Sequence, residues 1–68
     1  MALCELAVRA EAGLVVRLLW DPARGQAVLR YRDRREGDAF VVDVPNGRAL
    51  EAFYHPNAYR PARLATAA

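Results

Sequence analysis

Apolar and polar residues alternate through much of the chain up to Val44, with the two-residue period of a β-strand. The alternation is clearest from Leu14 to Trp20. There Leu14, Val16, Leu18 and Trp20 make one large apolar face, and Val15, Arg17, Leu19 and then Asp21 make a mixed one. This stretch predicts a central strand with one face in the core. A second strand is predicted over about Gln26 to Arg32, with Ala27, Leu29 and Tyr31 on one side and Val28, Arg30 and Arg32 on the other. A third, Ala39 to Val44, turns Phe40, Val42 and Val44 inward and Ala39, Val41 and Asp43 outward. Between the first two strands lies Asp21-Pro22-Ala23-Arg24-Gly25. In it Asp suits the first turn position, Pro presets φ, and Gly accepts a left-handed exit. Pro45 removes a ladder donor and ends the last strand.

The two ends of the chain are less regular. Residues Leu3 to Glu11 read as a strand, with Cys4, Leu6, Val8 and Ala10 alternating against Glu5, Ala7, Arg9 and Glu11. They also read as a helix, with Leu3, Leu6, Ala7 and Ala10 on one face, a Glu5/Arg9 pair and high Ala content. Glu11-Ala12-Gly13 has the composition of a short hairpin loop and favours the strand. After Pro45, Asn46 suits the start of a helix as its cap. Residues Arg48 to Tyr54 place Ala49, Leu50 and Phe53 on one stripe, and Pro56 ends the helix at or before His55. Residues 61–68 carry no sustained pattern and are expected to be a mobile tail on a domain spanning 1–60.

These elements predict an α+β fold, an antiparallel meander of three or four strands with one short C-terminal helix packed on one face. The helix is expected to lay Leu50 and Phe53 over Val16, Leu18, Trp20, Leu29, Tyr31, Phe40 and Val42. With one helix, the opposite sheet face has no predicted cover.

The turn Leu19-Trp20-Asp21-Pro22 and the closing run Phe53-Tyr54-His55-Pro56-Asn57-Ala58-Tyr59 form a recognisable pair of motifs. Over about Leu14 to Tyr59 the chain resembles small uncharacterised proteins of actinobacterial type, which share a W-[DE]-P turn and a closing F-[YH]-H-P-x-A-Y motif. It departs from them at Asn57, where an aromatic is usual. The resemblance implies a shared fold and carries no activity.

Composition narrows the chemistry. The chain has 68 residues and a formal charge of +2, and all ten basic residues are Arg. A domain this small buries a modest share of its surface, so metal, disulfides or self-association often supplement its core. With one cysteine, Cys4, and one histidine, His55, neither an internal disulfide nor a closed zinc site is expected. Cys4 is expected to be a small buried apolar residue. The glycines are isolated in turns, so no phosphate loop is predicted, and there is no Ser for a triad. No enzyme, cofactor or metal is expected. No targeting signal or bilayer-length apolar run is evident, which makes a cytoplasmic bacterial protein the default.

Two features remain for function. The aromatic cluster of Phe53, Tyr54, His55 and Tyr59 is expected to anchor the chain end on the core, with His55 and Pro56 as the helix stop. The outward sheet face, carrying Val15, Arg17, Leu19, Val28, Arg30, Arg32 and Val41, combines an apolar strip with an Arg rim, the composition of an interface. The expected function is therefore a small protein-interaction module, self-associating through that face or meeting another protein. A nucleic-acid accessory role through Arg17, Arg30 and Arg32, with Arg34 and Arg35 in the adjacent loop, is the alternative. It is weakened because Trp20, Tyr31 and Phe40 alternate inward and leave no stacking platform.

Overall fold

Four strands form one antiparallel sheet in the order of the chain: β1 (Cys4–Glu11), β2 (Leu14–Asp21), β3 (Gln26–Asp33) and β4 (Asp38–Val44). They are followed by a 3-10 turn over Asn46–Arg48, a helix α1 (Ala49–Tyr54) and a second 3-10 turn over Pro56–Tyr59. This computed structural model describes residues 3–61. The tail expected over 61–68 lies outside the described residues except for position 61. Meander, helix and single-sided packing agree with the alternation pattern, and the first segment is a strand rather than a helix.

The turns follow from their residues. Ala12 and Gly13 both take positive φ, 49° and 87°, so β1 and β2 are joined by a two-residue loop whose twist matches the flanking strands. A Cβ at Gly13 would lie 3.0 Å from Cγ of Arg35, a contact that adds to the demand for glycine there. In the next turn Asp21 Oδ1 accepts the Ala23 N–H at 3.0 Å. Gly25 at φ 62° returns the chain into β3.

The helix packs on β2 and β3. Beneath it Val16, Leu18, Ala27, Leu29, Tyr31 and Val44 join Ala52 and Phe53 in one buried cluster, flanked by Trp20, Phe40, Val42 and Tyr59. Full burial of side chains such as Leu29 and Phe53 stabilises the fold by about 1.5–3 kcal/mol each. The helix presents Ala49, Ala52 and Phe53 to the sheet, the i, i+3, i+4 set. Leu50, expected in the core, is 64% exposed. A six-residue helix has room for one narrow stripe, and Leu50 sits about 100° round the axis from Ala49.

Asn46 does not cap the helix: neither helical segment has a side-chain cap at its start. Its Oδ1 accepts the Ala27 N–H at 2.9 Å and its Nδ2 donates to the Gly25 carbonyl at 3.0 Å. It thus ties the end of β4 to the β2–β3 turn. At the other end of the helix His55 adopts a non-helical conformation and Pro56 is buried, which gives the expected stop at Tyr54.

The largest departure from simple alternation is in β1. Its register against β2 slips between Glu5 and Ala7, leaving Leu6 as an extra residue and 55% exposed. An extra residue reverses the face of everything beyond it. Cys4, Ala7, Arg9 and Glu11 therefore share the helix side with Trp20, Leu18, Val16 and Leu14, while Glu5, Val8 and Ala10 take the other. Pairing with Val16 puts Arg9 where it is needed. Its Nε and Nη2 donate to the Phe53 carbonyl at 3.1 and 3.0 Å, satisfying a helix C-terminal acceptor. Its guanidinium also lies 5.6 and 5.8 Å from the ring centroids of Phe53 and Tyr54. Cys4, expected to be buried, is exposed. It lies on an edge strand, outside the strands that carry the helix.

Arg60 closes the structure in a similar way. It donates to Asp38 at 3.1 Å, and its guanidinium lies 4.8 Å from the Phe40 centroid and 5.5 Å from that of Tyr31. Those two rings are themselves cross-strand partners, stacked at 4.8 Å.

Candidate functional site

The sheet face opposite the helix is built by odd positions of β2 and even positions of β3, and the register brings all seven expected residues together on it. Val15 lies across from Arg32, Arg17 from Arg30 and Leu19 from Val28. On the far side Arg30 lies across from Val41, and Val28 from Asp43. The grouping read from alternation is the grouping in space.

Their exposure differs from that of a plain apolar strip. Leu19 and Val28 are only 7% and 3% exposed, although no helix among the described residues covers them, whereas Val41 is 59% exposed. The two buried residues are cross-strand partners at the middle of the face, ringed in register by Glu5, Arg17, Arg30 and Asp43. Long side chains can cover apolar neighbours with their stems while keeping their charges in water. Beside Val28, Arg24 reaches from the β2–β3 turn over the end of β3. It donates to Asp21 at 2.7 Å and to both Asp43 carboxylate oxygens at 2.8 and 2.9 Å.

That three-residue bridge makes the face sensitive to acid. Hydrogen bonds from Arg24 hold the Asp21 and Asp43 carboxyls below the ordinary carboxylate range, and Asp43 and Asp21 in turn raise the Arg24 guanidinium. A carboxylate whose folded pKa is depressed adds stability above its unfolded value, near 3.9 for Asp, and loses it as pH falls through the folded value. Arg24→Gln should therefore be less stable than wild type at neutral pH, and the difference should close as the pH is lowered to about 2. Urea unfolding at the two ends of that range reads the effect, and a gap independent of pH would count against the bridge.

Beyond the bridge the face hollows into an open depression of about 660 Å³. Leu3, Val15 and Leu19 supply its apolar lining, and Arg17, Arg30, Arg32, Arg34 and Glu5 its charged lining. Four guanidinium groups thus surround one carboxylate, and that carboxylate already binds Arg17. Among the described residues Arg30, Arg32 and Arg34 have no ion pair or side-chain hydrogen bond. Arg17 and Arg30 also face each other directly across the strands, an arrangement that is destabilising for like charges. The arrangement suits a group that brings negative charge.

Arg34 and Arg35, adjacent in the loop after β3, diverge. Arg34 lines the depression. Arg35 turns to Gly13 and Asp33, and its backbone N–H donates to Asp33 Oδ1 at 3.0 Å. Leu3 and Glu5 are additional lining residues. Glu5 lies across from Leu19 in register.

The aromatic cluster forms a separate region on the helix side. Phe53 is buried and meets Tyr54 edge-on at 5.1 Å, and Tyr59 packs against the core cluster. Tyr54 and His55 are exposed beside a shallower hollow of about 340 Å³ that Arg9, Leu14 and Tyr31 also line. Its described contacts are those of an anchor. Among the described residues no three His, Cys, Asp or Glu side chains gather as metal ligands, and no helix is long and apolar enough to cross a membrane. The chain matches no family model, and no curated protein or solved structure is significantly similar to it.

Proposed function

We propose that this protein is a small non-enzymatic interaction module whose working surface is the helix-free sheet face, and that it recognises a negatively charged partner. The observation that carries this reading is the group of Arg30, Arg32 and Arg34 around one depression without carboxylate partners among the described residues. Arg charges placed together and left unneutralised raise the local potential and favour an anionic partner.

Self-association through the same face would bring two Arg-rich surfaces together, and like charges brought together across an interface cost several kcal/mol. The charge distribution therefore favours a different, acidic partner. Nucleic acid is the second reading, supported by the same guanidinium groups. It lacks support from stacking residues: Trp20, Tyr31 and Phe40 all lie on the helix side.

Fluorescence anisotropy with labelled poly-glutamate tests the reading. Wild-type protein should bind at low salt, and Arg30→Glu/Arg32→Glu should weaken binding at least about tenfold, since those charges point into solvent and touch no structural partner. Absence of binding by wild type, or equal binding by the double variant, would remove the proposal. Tighter binding of a labelled oligothymidine of equal charge would replace it with the nucleic-acid reading.

A further inference from the structure

Resting on that reading of the face, we infer that its partner is an amphipathic helix of another protein, with an acidic edge and an apolar stripe. Arg30, Arg32 and Arg34 occur at every second position along and just beyond β3. In an extended strand alternate residues are about 6.7 Å apart, so Arg30 and Arg32 present charges at that interval, and Arg34 in the turn just beyond continues the row. On a helix, residues four apart on one edge are separated by about 6 Å along the axis. Carboxylates at i, i+4 and i+8 therefore meet the row nearly in step, and the flexible Arg side chains absorb the small drift.

Apolar groups in the depression supply the second requirement. Val15 is half-buried and Leu3 is 45% exposed, toward opposite ends of the β1–β2 side of the Arg row with the Glu5–Arg17 ion pair between them. A helix lying along the strands would set its apolar stripe over them with its acidic edge toward β3, as amphipathic helices bind in grooves. An acidic segment in an extended conformation would match the charge interval as well. It would arrive with its backbone N–H and C=O groups unpaired, over a face that offers side chains and no strand edge. A helix brings its backbone already satisfied. It would also complete a second covering layer, since α1 packs on the other face of the sheet.

Two labelled peptides of identical composition provide the test. In one, Glu occupies i, i+4 and i+8 beside a Leu stripe on a helix-forming Ala-rich background. In the other, the same residues are permuted so that neither stripe nor acidic edge exists. The 68-residue chain should bind the patterned peptide at least tenfold more tightly than the permuted one. That preference should be lost in Arg30→Glu/Arg32→Glu and largely kept in Arg30→Lys/Arg32→Lys, with circular dichroism checking that both variants stay folded. Equal affinity for the two peptides, with poly-glutamate still bound in an Arg30- and Arg32-dependent way, would overturn the helix and leave the anion-selective face standing. Failure to bind either peptide or poly-glutamate would overturn both.

Discussion

Val28→Asp is expected to unfold the domain, whereas Val41→Asp on the same sheet face should leave its stability within about 1 kcal/mol of wild type. Val28 is 3% exposed and sits between Leu19 and Asp43 in register. A carboxylate there would be buried beside an existing carboxylate, and an Asp side chain is too short to carry its charge out to water. Burying an unpaired charge costs several kcal/mol. Domains of this length typically hold about 3–10 kcal/mol in total. Val41 is more than half exposed and lies directly across from Arg30. An acid at that position loses some strand preference and gains an opposite charge, and the two effects nearly cancel. Urea unfolding followed by far-ultraviolet circular dichroism separates the variants. A Val28→Asp protein with a wild-type midpoint would mean that the centre of this face is open to water.

The second large effect is expected at Phe53. Phe53→Ala should cost about 3–5 kcal/mol, the range for truncating a buried aromatic. In a domain of this size that lowers the melting temperature by at least about 12 °C. Phe53 is the large side chain that α1 buries in the core, and its ring is also a platform for Arg9. Truncation would remove both the packing and the cation–π contact while leaving the Arg9 hydrogen bonds to the Phe53 carbonyl formally available. Leu50→Ala on the same helix should shift stability by no more than about 0.5 kcal/mol, because Leu50 is mostly exposed. If the two substitutions had similar effects, the helix would be rotated away from presenting Phe53 to the sheet.

The Phe53 and Leu50 contrast shows where reading along the chain succeeds and where it stops. Both residues fall on a plausible apolar stripe over residues 48–54. The six-residue length of the helix and its seat across β2 and β3 decide which one enters the core. Similarly, alternation assigns Leu19 and Val28 to the helix-free face, and they lie there. Alternation carries no information about which long side chains will close over them.

What the sequence by itself determined was local. Alternating side chains define two faces without reference to any partner strand, so β2, β3 and β4 and their facing sets were legible from periodicity. The turns were legible too, because Pro22, Gly13 and Gly25 act on their own backbone dihedrals. The grouping of Val15, Arg17, Leu19, Val28, Arg30, Arg32 and Val41 follows from those strands once they pair as hairpins.

Only tertiary structure decided the features that depend on residues distant in sequence. The register of β1 on β2 is a property of how the two strands pair, and it sets Arg9 beside Val16, from where it reaches the Phe53 carbonyl, 44 positions away. Asn46 has the residue type of a helix cap, yet the start of β3 offers a donor at Ala27 and the turn before it an acceptor at Gly25, and its amide binds there instead. Arg24 looks like an ordinary turn residue until β4 brings Asp43 beside it. In each case the partner of a polar side chain is distant in sequence, and the packing of the strands brings it within reach.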